Sequence, residues 1–113
     1  MFSLKEARKK TIDGLGAKYI ERLQAGETVQ VRPRGNSMRG KIESGQLCTV
    51  APIADSESIK VGDIVLCRVH GAQYLHLVKA VRDGQFQIGN NRGGNNGWVA
   101  ARSLFGLLVE VAD

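Results

Sequence analysis

The 113-residue sequence predicts a mainly β, compact antiparallel fold preceded by one N-terminal helix. Two observations predict it. From Thr28 onward, short β-type runs alternate with glycine, proline and asparagine turn signals, spaced too closely for helices to lie between them. Before that point, apolar residues recur at steps of three and four, the stripe of an amphipathic helix. The chain accordingly divides into a helical segment over 1–27 and a β domain over 28–113. A hydrophobic share of 42% and a charged share of 24% suit one ordinary globular domain, neither disordered nor fibrous.

The helix is expected from Leu4 to Leu23, with Ile12, Leu15, Tyr19, Ile20 and Leu23 on its apolar stripe. Gly14 and Gly16 interrupt the stripe, each at a cost of about 1 kcal/mol relative to alanine, so the first turns are expected to fray or separate. Gly26 closes the element, and Lys5, Arg8, Lys9 and Lys10 make its start a basic, solvated face. Strands are then expected over Thr28 to Arg32, Leu47 to Ala51, Asp63 to Val69, Tyr74 to Val81, Gln85 to Ile88 and Leu104 to Val111. Turn residues separate them at Pro33, Gly35, Gly45, Gly62-Asp63, His70-Gly71 and Asp83-Gly84. The Gly/Asn-rich stretch from Gly89 to Gly97 is expected to be a flexible connection anchored by a buried Trp98.

Sixteen Lys and Arg against eleven Asp and Glu leave a net charge of +5, spread along the chain. Scattered charge of this size serves solubility first and admits an anionic partner second. The apolar stretch from Leu104 to Val111 is far short of the roughly 20 residues a membrane helix needs. The first six residues lack the apolar run of a secretory signal. The expected location is therefore the cytoplasm, without a membrane partner. Cys48 and Cys67 stand 19 residues apart, with no Cys-x-x-Cys spacing and no matching histidine pair. Both are read as reduced strand residues, and neither a metal nor a cofactor is expected.

Ser37 is the residue best placed for chemistry. It sits in Gly35-Asn36-Ser37-Met38, between a glycine turn and a short amphipathic stretch. Backbone amides at such a turn, near Asn36 and Met38, can face a developing oxyanion while the hydroxyl attacks. A nucleophilic serine needs a base. In the strand from Tyr74 to Val81, period two puts Leu75, Leu77, Lys79 and Val81 on one face and Tyr74, His76, Val78 and Ala80 on the other. Lys79 thus falls in the more apolar row, where desolvation favours the neutral amine that can take a proton. His76 is the alternative base.

These segments, in order, resemble the boxes of LexA-like autopeptidases and type I signal peptidases. Gly35-Asn36-Ser37-Met38, followed by Ile42 and Gly45-Gln46, is similar to their Ser-Met box. Gly62-Asp63-Ile64-Val65 is similar to their Gly-Asp strand start, and Val78-Lys79-Ala80-Val81 to the segment with their general-base lysine. Gly89-Asn90-Asn91 with Phe105-Gly106 is similar to the closing box. The resemblance spans Val29 to Val111 and implies a LexA/signal-peptidase-like antiparallel β fold with a Ser37–Lys79 dyad. Leu75-His76-Leu77-Val78 also resembles the histidine version of the base box, found in archaeal and eukaryotic secretory signal peptidases. Three positions depart from the pattern: Gly40 stands for the usual proline, Gln46 for aspartate and Ala80 for arginine.

What the resemblance implies is a serine–lysine peptidase-like domain that cleaves, or once cleaved, a peptide or protein substrate. The other reading is a catalytically silent module of the same fold that docks a protein or, less favoured, a nucleic acid; a homodimer is compatible with either. The first 27 residues are too few for a three-helix DNA-binding module. Ala25-Gly26 has the composition of a LexA-like scissile bond, yet it lies only 12 residues before Ser37 and could reach back only through a tight fold. The alternative to a buried Trp98 is a binding loop with Trp98 as a stacking platform for a peptide, a phosphate or a base, and Arg32, Arg34, Arg39, Lys41 and Arg92 are expected to gather at the same mouth.

Overall fold

The computed structural model describes the backbone from residue 12 onward and the side chains from residue 18. The expected helix start at Leu4 and the basic residues Lys5, Arg8, Lys9 and Lys10 lie outside the described residues. Helix α1 (Ile12–Gln24) is followed by β1 (Val29–Val31), β2 (Leu47–Pro52), β3 (Ile64–Val69), β4 (Ala72–Arg82), β5 (Gln85–Gly89), β6 (Asn95–Ala100) and β7 (Leu104–Ala112). The seven strands form one sheet in the order β1-β2-β7-β3-β4-β5-β6, antiparallel at every junction. Among the described residues the fold is mainly β with one α-helix at its N-terminal side, as the turn spacing predicted.

Helix α1 passes through Gly14 and Gly16 without a break. Their propensity cost is offset by packing, since Ile20 and Leu23 are buried at 6% and 2% exposure. The helix ends at Gly26, whose φ of 89° is open to glycine and costly for other residues. There Gly26 N–H donates to the Leu23 carbonyl and Glu27 N–H to the Arg22 carbonyl, a Schellman-type closure. Gly26 is thus tied to the helix end. The β3–β4 and β4–β5 hairpins turn through His70-Gly71 and Asp83-Gly84, all four at positive φ, as two-residue type I′ turns require.

Alternation along β3 and β4 divides the core into two clusters. Ile64, Leu66, Leu75 and Leu77 join Leu23 of α1 and Val29 of β1 in the first, while Val65, Cys67, Tyr74 and Val78 join Phe86 and Ile88 of β5 in the second. Cys48 belongs to the first cluster and Cys67 to the second, and both are free thiols. Burial pushes the Cys48 thiol up from 9.0 to about 11 and the Cys67 thiol to about 12. The folded state therefore holds thiol protons that the unfolded chain releases above pH 9. This contribution is complete below pH 9 and is lost as pH rises toward the folded values, by about 1.4 kcal/mol per pH unit per thiol. The expected result is a melting temperature that falls steeply between pH 9 and 11, with a smaller fall in Cys48→Ala/Cys67→Ala measured against its own neutral value. Equal slopes in the two proteins would assign the fall to other groups.

Candidate functional site

The loop from Pro33 to Gln46 is tied into a closed unit that presents Ser37. Gly45 N–H donates to the Pro33 carbonyl at 2.7 Å, Arg32 Nη1 to the Gly45 carbonyl at 2.9 Å, and Gly35 N–H to Ser44 Oγ at 3.1 Å. Ile42 N–H donates to the Met38 carbonyl at 2.8 Å, closing a single helical turn. Met38 and Ile42 are sunk in the first core cluster at 0% and 1% exposure. That anchor fixes the residue just before it. Ser37 is 3% exposed and His76 is fully buried.

The hydroxyl of Ser37 meets His76 Nε2 at 3.2 Å, and His76 Nδ1 meets Asn96 Oδ1 at 2.7 Å. A side-chain carbonyl oxygen accepts only, so Nδ1 carries the proton and donates to Asn96. In the neutral ring Nε2 is then the bare nitrogen, and it accepts from Ser37 Oγ–H. Tyr74 stacks on the imidazole with ring centroids 4.8 Å apart and planes inclined by 29°. The turn at Gly62-Asp63 secures β4 just beyond the histidine: Gly62 N–H donates to the Val78 carbonyl and Val78 N–H to the Asp63 carbonyl. This is the place in the fold of Gly62-Asp63, the segment that resembles a Gly-Asp box.

The structure brings His76, the alternative base, within hydrogen-bond distance of Ser37, whereas Lys79 makes no hydrogen bond to it. The apolar row that favoured Lys79 is broken by a β-bulge. Val78 pairs with Ile88 and Ala80 with Gln87, so Lys79 is the extra residue, and the alternation reverses beyond it. Val81 now pairs with Phe86 of the second cluster, whereas Leu75 and Leu77 belong to the first. Lys79 is half-buried, with its stem laid over Gly89, where an added Cβ would stand 2.9 Å from Lys79 Cε. Among the described residues it makes no hydrogen bond or ion pair.

Asn36 and Met38 contribute differently. Asn36 is exposed, and its carbonyl accepts from Arg39 N–H at 3.1 Å, which shapes the turn through the backbone. Among the described residues, the amides of Ser37 and Met38 donate to no protein acceptor. Gly40 has φ +97°, a value proline cannot adopt, so this departure from the resembled box changes the turn itself. Gln46 is also used structurally, accepting from Glu43 N–H at 2.7 Å and donating to Asp113 Oδ1 at 3.1 Å.

The stretch expected to be one flexible loop is a short tight loop followed by strand β6. Pairing with β5 overrides the weak strand preference of Asn and Gly. Trp98 lies on β6 at 38% exposure, with Arg82 5.0 Å over its ring, and is not the buried anchor expected. In the loop, Asn90 Oδ1 accepts from the amides of Arg92 and Gly94, while Asn91 clasps the Ser37 turn. Asn91 N–H donates to the Ser37 carbonyl and Asn91 Nδ2 to the Arg39 carbonyl, both at 2.8 Å. Asn91 thereby sets the Ser37–Met38 peptide plane and, with it, the direction of the Met38 N–H. Asn91→Ala, which loses the side-chain bond alone, is expected to slow labelling of Ser37 by a fluorophosphonate about fivefold to tenfold. An unchanged rate would show that the backbone bond suffices.

Of the basic residues expected at the mouth, Arg39 and Arg92 lie by the Asn91 clasp, whereas Arg32 turns to the carbonyls of Gly45 and Asp113. Asn96 is the site residue the sequence did not reveal. It stands in an Asn/Gly-rich run that carries no strand signal, and nothing local marks it, rather than Asn90, Asn91 or Asn95, as the partner of a histidine. No protein-family model matches the chain, and no curated protein matches it in sequence.

Proposed function

We propose that the chain is a serine hydrolase that cleaves peptide bonds through Ser37, His76 and Asn96. The observation that carries this reading is the continuous series from Ser37 Oγ to His76 Nε2, buried at 3.2 Å, and from His76 Nδ1 to Asn96 Oδ1, part-buried at 2.7 Å. Nucleophile, base and orienting group are in the order that proton transfer requires. Ser37 Oγ attacks the carbonyl carbon as its proton passes to His76 Nε2. The amides of Ser37 and Met38, which donate to no protein acceptor among the described residues, receive the oxyanion. The imidazolium then gives its proton to the leaving amine, and water repeats the sequence to free the acyl group. Asn96 keeps the imidazole in the reactive tautomer but, being neutral, adds no charge to support the imidazolium.

Peptide as the substrate class rests on the ordered resemblance to LexA-like and signal-peptidase-like boxes, in their histidine version. Lys79 has no part in this scheme. Two free, buried cysteines support work in the reducing cytoplasm. Among the described residues, no helix is long and apolar enough to cross a membrane. The test is cleavage of a peptide library, and of the chain itself, by the wild type and Ser37→Ala. Equal products from both would remove the hydrolase reading.

A second reading has one observation in its favour. An open concavity of about 380 Å³, lined by Arg82, Asp83, Gln85 and Trp98, offers a cation and an aromatic face at the β4–β5 hairpin. A silent docking module would use it for an anionic partner. Binding of single-stranded nucleic acid that weakens with salt and survives Ser37→Ala would favour this reading, and no binding at low salt would remove it.

A further inference from the structure

Of the five asparagines in the chain, only Asn96 precedes a glycine. Glycine has no side chain to shield its amide nitrogen, so an Asn-Gly pair is the sequence most open to attack by that nitrogen on the asparagine side chain. Here the pair lies at the proposed active site. Three features of the fold act on it. Ile88 pairs with Gly97 and Gly89 with Asn95, so Asn96 is the extra residue of a β-bulge. Gly97 has φ +141°, a conformation that side-chain-bearing residues rarely adopt, and an added Cβ would stand 3.2 Å from His70 Nε2. The glycine is thus required by the backbone. Finally, His76 Nδ1–H donates to Asn96 Oδ1 at 2.7 Å. That bond draws electrons from Cγ and faces the oxygen on which charge builds when Cγ is attacked.

We propose that Asn96 is a self-modification site, converted by intramolecular deamidation into a carboxylate that then holds His76. The Gly97 nitrogen bonds to Asn96 Cγ, closing a succinimide ring, and the side-chain nitrogen leaves as ammonia. Water then breaks the new bond between Cγ and the Gly97 nitrogen. The backbone peptide is kept, and a carboxyl group stands where the amide was. Water is the only co-reactant, and nothing is oxidised or reduced. The effect on reactivity rests on the proposed hydrolase reading; the modification itself does not. A carboxylate makes the bond to Nδ1 charge-assisted and supports the imidazolium, so the conversion turns a weakly driven site into a fully driven one. The pairing of Gly97 with Ile88 favours the normal linkage over isoaspartate, whose extra backbone methylene would shift that register.

The experiment ages the full chain in mildly alkaline buffer, maps each asparagine by peptide mass spectrometry and isoaspartyl methyltransferase labelling, and follows the rate at which a fluorophosphonate labels Ser37. The fresh variants Asn96→Asp and Asn96→Gln, the latter too long to close the same ring, are run beside it with circular dichroism as the folding control. Conversion is expected at position 96 before 36, 90, 91 and 95, in the normal linkage. Labelling should rise about tenfold with it, to the rate of fresh Asn96→Asp, while Asn96→Gln stays constant. Survival of the Asn96 amide as long as the other four overturns the proposal, as does conversion to isoaspartate with falling labelling. If position 96 converts as expected but Ser37 is never labelled in any chain, the modification stands and the hydrolase reading fails.

Discussion

Replacing His76 by alanine is expected to abolish Ser37-dependent cleavage, a loss of at least about 10⁴-fold, while Lys79→Ala keeps the rate within a factor of about 3. The physical reason is contact: Ser37 Oγ is bonded to His76 Nε2, and the Lys79 stem lies over Gly89. Ser37→Ala combined with His76→Ala should be little worse than either alone, because members of one catalytic unit are grossly non-additive. His76 is fully buried beside Tyr74, so its removal also leaves a cavity. His76→Gln, which refills the space with an amide unable to take the proton, separates the two effects: it should be as inactive as alanine but closer to wild type in melting temperature. Cleavage that survives His76→Gln and disappears in Lys79→Ala would reverse the assignment and restore the serine–lysine dyad.

The largest expected effect on stability comes from Gly106→Ala. Gly106 is buried in β7 between its partners Pro52 of β2 and Leu66 of β3. A Cβ there would stand 2.5 Å from Val50 Cγ1, 2.9 Å from Leu23 Cδ1 and 3.2 Å from the Ala51 carbonyl oxygen. Both side chains belong to the first core cluster, and the oxygen is backbone, so the space cannot be found by swinging one flexible group aside. Overpacking of this kind costs about 3 kcal/mol, a fall of roughly 10–20 °C in Tm for a domain of this size. Adding Val50→Ala removes the closest clash, so the double variant should be less destabilised than the sum of the two single ones. Additive losses in thermal denaturation would show that helix α1, through Leu23, takes up the strain.

Where local chemistry is decisive, the sequence alone was enough to place the elements. Six of the strands were legible because their β-type runs are bounded by turn residues whose backbone demands are local: His70-Gly71 and Asp83-Gly84 take the positive φ angles that such turns need. The Ser37 turn was legible for the same reason, since Gly35, Met38 and Ile42 declare a turn backed by two core anchors. The sequence likewise narrowed the candidate base to a residue of one strand, Lys79 or His76.

Choosing between them was a tertiary matter. The bulge that makes Lys79 the extra residue is set by pairing with β5, and a shift of one residue exchanges the two faces of everything beyond it. Strand β6 was hidden because Asn and Gly have little strand preference of their own; it exists because β5 supplies its partners. Asn96 became a partner of His76 only when that pairing brought it 2.7 Å from this residue 20 positions earlier in the chain. Composition, turns and periodicity are properties of neighbours in sequence and can be read there. A hydrogen-bonded series that joins a loop, a central strand and an edge strand depends on register, which the assembled sheet alone decides.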